Sequence, residues 1–148
     1  MYKRVLVATD GSALSDQAVV AAIDLAVLSG AELVAVSVAH IEPFGYFEGS
    51  IMLSQRDIEA TQEKTNLAAQ RIVDRVAATA LGKGVRNAQA IVMKSNQVAE
   101  AIVATAKNQD CDLIVMASHG RRSLARLLMG SETLHVLTHS HIPVLVLR

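Results

Sequence analysis

The sequence predicts an α/β fold built around a parallel β-sheet. Short apolar runs rich in Val, Leu and Ile alternate with longer segments in which apolar residues recur at helical spacing. The short runs show no alternation of apolar and polar residues, which is typical of strands covered on both faces. Strands that alternate with helices are joined by right-handed crossovers, so helices are expected on both faces of the sheet.

The apolar runs are expected to be the strands of this sheet. They occupy residues 5–8, 33–38, 88–93, 113–117 and 144–147. Pro143 comes directly before the last run, where its missing N–H disturbs a strand least. Because no repeat, linker or low-complexity tract interrupts the sequence, residues 1–148 are expected to form one domain.

The segments between the runs have the periodicity of amphipathic helices. The first helix follows Ser12, a suitable N-cap, and ends at Gly30, a residue type that favours the left-handed conformation after a helix. Ser95 or Asn96 is expected to cap the third helix, and a fourth helix is predicted at residues 131–139. The second helix is long and carries its apolar stripe on Ile58, Thr65, Ala69, Ile72, Val76 and Ala80.

Composition excludes several classes of protein. The 14 Lys and Arg residues balance 14 Asp and Glu residues, so the chain has no bulk attraction for nucleic acid or anionic membranes. The apolar stretch at 18–28 is broken by Asp24 and is shorter than the roughly 20 residues that a membrane span needs. A single cysteine, Cys111, and the lack of a signal-peptide pattern before the first strand favour a cytoplasmic protein.

The polar segment after the fourth apolar run is the main candidate for a binding site. Nine residues separate Gly120 from Gly130, and Ser131 follows at the start of a helix. The free N–H groups and the dipole of a helix N-terminus attract anions. Backbone anion sites at Gly120 and at Gly130–Ser131, joined by a basic loop, would suit a polyphosphate. The alternative is an ordinary strand-to-helix connection. The basic residues of this loop are Arg121, Arg122 and Arg126.

Asp10 ends the first strand and would face this loop if the strand order reverses between the first and fourth strands. Its carboxylate can accept hydrogen bonds from ribose hydroxyls, although a role in capping the next helix is also consistent with its position. A phospho-acceptor receiver domain is excluded, because Met93 and Lys94 stand where its third strand needs an aspartate. Neither the P-loop pattern nor G-x-G-x-x-G occurs.

Four segments together resemble the universal stress protein family. Residues 4–12 (RVLVATDGS) are similar to its first strand and turn, 116–121 (MASHGR) with 127–131 (LLMGS) to its nucleotide loop, and 141–146 (HIPVLV) to its last strand. ATP-binding members share G-x-x-G, nine residues, then G-[ST]. This sequence matches that pattern except that Ala117 replaces the first glycine.

The resemblance implies a five-stranded sheet in the order 3-2-1-4-5, a homodimer through the last strand, and bound ATP. Mg²⁺ or Mn²⁺ would accompany the triphosphate, held mainly by phosphates and water, so neither a metal-ligating nor a catalytic residue is assigned. By position, the nucleotide-binding residues are Ala8, Thr9, Asp10, Val38, Met116, Ala117, His119, Gly120, Arg121, Gly130, Ser131 and Thr133.

The predicted function is that of an ATP-binding stress or regulatory protein, a nucleotide-responsive binding module. No His or Glu is evidently placed to activate a water molecule, so any hydrolysis should be slow. An enzyme that acts at the α-phosphate is an alternative, but its His-Ile-Gly-His and Ser-Gly-Gly-x-Asp-Ser signatures are absent. A dimeric adaptor that binds no nucleotide is the third interpretation.

Weaker signals have ordinary structural interpretations beside the functional ones. His135 and His139 have the i, i+4 spacing of helical zinc ligands, but histidines near a helix end are more often solvated or favour the helix dipole. Cys111 is expected to be a small buried hydrophobe rather than a redox group. Phe44, Tyr46 and Phe47 could form a lid or a surface for a partner. The alternative is that they pack against the second helix.

Overall fold

A computed structural model describes residues 1–41, 55–120 and 129–148. In these residues five strands alternate with four helices. The strands are β1 (Arg4–Ala8), β2 (Glu32–Ala39), β3 (Ala88–Lys94), β4 (Leu113–Ala117) and β5 (Val144–Leu147). The helices are α1 (Ala13–Ser29), α2 (Gln55–Gly82), α3 (Val98–Asn108) and α4 (Ser131–His139). Each strand agrees with its predicted bounds to within one residue.

The five strands form one parallel sheet in the order β3-β2-β1-β4-β5. This confirms both the α/β fold and the strand order that the resemblance implied. Val7 of β1 pairs with Ala35 of β2 on one side and with Val115 of β4 on the other. The strand order therefore reverses between β1 and β4, and in such sheets ligands bind beyond the carboxyl ends of the strands at this point.

Two apolar layers cover the sheet. Because successive side chains of a strand point to opposite faces, Val5 and Val7 pack with α1 and α2, whereas Leu6 and Ala8 pack with α3 and α4. Val5, Leu6 and Val7 are fully buried, which explains the uninterrupted apolar run in the sequence.

The predicted ends of α1 are confirmed. The hydroxyl of Ser12 accepts a hydrogen bond from the backbone N–H of Ser15 at 3.3 Å. Gly30 follows the helix with φ of 66°, in the left-handed region that glycine adopts without strain. Its N–H bonds to the carbonyl of Val27, and these local bonds end the helix.

The predicted cap of α3 is wrong. The hydroxyl of Ser95 accepts from the N–H of Gln97 before the helix begins, and the side chain of Asn96 accepts from the N–H of Ile41. The acceptor for the N–H of Ala99 in the first turn is instead the carboxylate of Glu132 in α4, at 2.9 Å. The first turn of α3 is thus capped by Glu132 of another helix, and not by Ser95 or Asn96 as predicted.

Three of the six residues in the predicted stripe of α2 are buried, and all three lie in its second half. Ala69, Val76 and Ala80 are buried as expected, together with Val73 and Ala77, but Ile58, Thr65 and Ile72 are only partly buried. The side-chain amide of Gln62 reaches the carbonyl of His40, just past the end of β2, so the first turns of this 28-residue helix extend beyond the sheet. In the part of the chain that the structure describes, no helix has the length and apolar character that crossing a membrane requires.

Candidate functional site

The turn after β1 is held by its own side chains. The Asp10 carboxylate accepts a hydrogen bond from the N–H of Ser12 at 2.9 Å, and the Thr9 hydroxyl accepts one from the N–H of Gly11 at 3.2 Å. The Thr9 and Ser15 hydroxyls lie 3.0 Å apart and are buried between β1 and α1. Gly11 has φ of 77°, a conformation that suits glycine. Asp10 is therefore held at the carboxyl edge of the sheet.

Gly120, three residues past β4, lies directly against Asp10. A Cβ atom added to Gly120 would be 2.6 Å from Oδ2 of Asp10, closer than real non-bonded Cβ contacts allow. The backbone of Gly120 is not in the left-handed region. The close approach of its backbone to the Asp10 carboxylate, and not a left-handed φ, is therefore what favours glycine at this position. The turns after β1 and β4 meet at the point where the strand order reverses.

The first turn of α4 is bonded to the end of β4. The N–H of Gly130 donates to the carbonyl of Ser118 at 2.7 Å, and a Cβ on Gly130 would lie 3.1 Å from that oxygen. The hydroxyl of Thr133 lies 3.0 Å from the carbonyl oxygens of both Ala117 and Ser118. These contacts set the position of the α4 N-terminus relative to the sheet edge. The role of Ser118 could not be read from the sequence, because it is carried by a backbone carbonyl.

The N-terminus of α4 has the donors that an anion would use. Its first intrahelical hydrogen bond runs from the N–H of Leu134 to the carbonyl of Gly130, so the three preceding N–H groups have no partner within the helix. Gly130 supplies no side-chain cap, and Ser131 is exposed. Thr133, one of the predicted nucleotide-binding residues, is only 2% exposed, and its hydroxyl donates to the carbonyl of Ala117 in β4.

The predicted nucleotide-binding residues at or near the ends of β1, β2 and β4 divide between the two faces of the sheet. Ala8, Val38 and Met116 lie together on the face covered by α3 and α4. Thr9 is on the opposite face, where it contacts α1. Alternation along β4 places the side chain of Ala117 on the α1 face as well, opposite Met116.

His119 lies beside the turn of Gly130. Its Cα would be 3.4 Å from a Cβ on Gly130, and its Nδ1 is 2.9 Å from the hydroxyl of Ser118. The remaining predicted site residue, Arg121, lies outside the described residues. The same is true of Arg122, Arg126, Phe44, Tyr46 and Phe47.

The histidine spacing on α4 does not build a metal site in the described residues. The rings of His135 and His139 are 4.2 Å apart, and Nδ1 of His139 lies 2.9 Å from the carbonyl oxygen of His135. Nε2 of His135 is 4.0 Å from the carboxylate of Glu100 on α3. Within residues 1–41, 55–120 and 129–148, no group of three potential ligands is arranged to hold a metal ion.

A depression of about 630 Å³ lies at the opposite edge of the sheet, by the amino ends of the strands. Arg4 and Glu32 line it, but the Arg4 guanidinium donates to the Glu32 carboxylate and to the carbonyl of Gln109. The hydrogen bonds from Arg4 hold the pKa of Glu32 below its ordinary value. These charged groups already have partners, so they serve the fold rather than a ligand.

Cys111, just before β4, is 6% exposed, and burial raises the pKa of its thiol to about 11. In the unfolded chain the thiol ionises near pH 9, so the free energy of unfolding should fall as the pH rises from about 9 to 11, by at most about 1.4 kcal/mol per pH unit. We expect Cys111→Ala to remove this part of the alkaline dependence, measured by urea unfolding at pH 8 and 10. Identical pH dependence in the two proteins would contradict the assignment.

The sequence model of the universal stress protein family matches residues 1–148. The chain belongs to the universal stress protein family. This universal stress protein is 33% identical over 150 residues to one from Methanocaldococcus jannaschii, covering 100% of its own chain and 83% of the relative.

Solved structures of the family have the same fold. Universal stress protein UspA from Lactobacillus plantarum superposes with a TM-score of 0.84 at 22% identity, covering 99% of this chain and 98% of the other. A universal stress protein crystallised in complex with cAMP superposes with a TM-score of 0.71 at 25% identity, covering 99% and 97% of the two chains. An adenine nucleotide is therefore a ligand of at least one relative.

Proposed function

We infer that this universal stress protein is a nucleotide-responsive regulatory module of the cytoplasm that binds ATP at the carboxyl edge of its sheet, between β1 and β4. The observation that carries the proposal is the close approach of Gly120 to the Asp10 carboxylate. Through that contact the Asp10 carboxylate, an acceptor suited to ribose hydroxyls, lies next to the loop that leads to the N-terminus of α4. The cAMP complex of a relative supports an adenine nucleotide as the class of ligand.

The groups at this edge suit the parts of a nucleotide. The carboxylate of Asp10, which accepts from the N–H of Ser12, is the type of acceptor to which ribose hydroxyls donate. The N–H groups at the start of α4 and the exposed hydroxyl of Ser131 suit phosphate oxygens. The partly buried Val38, beside Ala8 and Met116, offers an apolar surface for a base.

Ala117, which replaces the first glycine of the family pattern, is compatible with this arrangement. It is 7% exposed, and alternation along β4 puts its side chain on the same face as Val115, towards α1. The proposed adenine surface lies on the other face. The additional methyl group therefore packs in the protein instead of crowding the ligand.

A divalent cation would be held by the phosphates and water. Among the described residues, Asp10 is the acid that lies against Gly120, and its carboxylate already accepts from the turn. The other acid in the loop and first turn of α4, Glu132, is bonded to Ala99 of α3. This fits Mg²⁺, which retains several waters and binds largely through substrate phosphates.

The proposal is tested on the wild-type protein. Small molecules released by heat from freshly purified protein should include an adenine nucleotide, identified by chromatography and mass. At about one hundred times Kd, ATP should stabilise the fold by about 2.7 kcal/mol, a rise in Tm of several degrees. GTP serves as the control for recognition of the adenine base. Failure of ATP and cAMP to bind at millimolar concentration in calorimetric titration would reject the function.

A further inference from the structure

Two helix N-termini lie side by side at the carboxyl edge of the sheet. α3 follows β3 and α4 follows β4, and the two helices pack together on the same face. Neither helix is capped by the side chain at its N-cap position, Gln97 in α3 and Gly130 in α4. Each end has the partial positive charge of a helix N-terminus and N–H groups that have no partner within their own helix.

Glu132 connects these two ends. It lies in the first turn of α4, yet its Oε2 accepts a hydrogen bond from the N–H of Ala99 in α3 at 2.9 Å. The carboxylate therefore stabilises the start of α3 and does not cap its own helix. The N–H groups of α4 are left for another acceptor, and a negative charge is held between the two helix ends.

We propose that Glu132 determines how strongly the site discriminates between nucleotides by the charge of their phosphates. The inference rests on the proposed function, because it assumes that phosphates bind at the N-terminus of α4. Ser131, the residue expected to contact phosphate, is adjacent to Glu132 in the sequence. The Glu132 carboxylate, bonded at the neighbouring N-terminus of α3, opposes each added phosphate charge and reduces the advantage of ATP over AMP.

Glu132→Gln removes the negative charge of this side chain and keeps an acceptor for the N–H of Ala99. The amide oxygen of Gln accepts from Ala99 as the carboxylate does, so α3 and α4 should keep their positions. Charge interactions at helix N-termini correspond to about two- to fivefold in binding, so the ATP-to-AMP affinity ratio should rise by about this factor. The increase should shrink in about 1 M salt, where the screening length is about 3 Å. A purely structural role would alter both affinities together and leave the ratio unchanged.

The experiment is calorimetric titration of the full chain with AMP and with ATP in EDTA. The matched control is Glu63→Gln, which removes the same charge from an exposed position on α2, across the sheet. Amide hydrogen exchange at Ala99 should be fast in Glu132→Ala and slow in wild type and Glu132→Gln. An unchanged ratio in a Glu132→Gln protein that binds both ligands, or an equal rise in Glu63→Gln, overturns this inference alone. No binding of either nucleotide by wild type overturns the proposed function as well.

Discussion

Gly120→Val should nearly abolish ATP binding, with a loss of affinity greater than about one hundredfold. The valine Cβ would lie 2.6 Å from Oδ2 of Asp10, so Asp10 or the loop must move. Because Asp10 is also bonded to Ser12, moving it disrupts the turn that presents its carboxylate. By comparison, Ser131→Ala removes one hydrogen bond to a charged group, about 1.5–3 kcal/mol, and should weaken binding about ten- to one hundredfold.

Calorimetric titration with ATP compares these variants with a matched control and with a milder substitution at Gly120. Gly82→Ala is the matched glycine control, since a Cβ there has nothing within 4 Å, and its ATP affinity should equal that of wild type. Gly120→Ala introduces only the methyl group and should give an intermediate loss. Melting without ligand identifies any variant that fails to fold. ATP affinities that are equal in wild type, Gly120→Val and Ser131→Ala would reject the site.

Val146→Pro should convert the proposed homodimer to a monomer. β5 is an edge strand whose backbone bonds to β4 through the carbonyls of Pro143 and Leu147. In a parallel strand alternate residues face the same neighbour, so the N–H groups of Val144 and Val146 point to the open side. Proline at 146 removes an outward donor and leaves the bonds to β4 in place. A two-fold pairing of β5 with its copy depends on that donor.

Sedimentation at micromolar concentration measures this effect. Apolar surface is exposed on β5 and on the adjacent α4, at Leu145 (38%), Leu134 (51%) and Leu137 (39%), and pairing would cover part of it. Val146→Thr, which keeps the N–H and the branched side chain, is the control and should remain dimeric. A monomeric wild type, or a dimer that survives the proline, would refute pairing through β5.

Local sequence determined the strands, the ends of α1 and the spacing of the candidate loop. Apolar runs without alternation are stable as strands only when both faces are covered, so they indicated a parallel sheet before any contact was known. Ser12 and Gly30 act on backbone groups within a few residues, and such short-range hydrogen bonds can be read from the sequence. The nine residues between Gly120 and Gly130 were equally visible.

Contacts between distant segments were decided only by the tertiary structure. Glu132 is 33 residues from the N–H of Ala99 that it caps, and Thr133 is 16 residues from the carbonyl of Ala117 that its hydroxyl reaches. Asp10 lies against Gly120 because β1 and β4 are neighbours in the sheet. A hydroxyl or carboxylate has the same hydrogen-bonding capacity toward phosphate, ribose or backbone. Which partner it meets depends on how the helices pack on the sheet, and that arrangement depends on the whole apolar core.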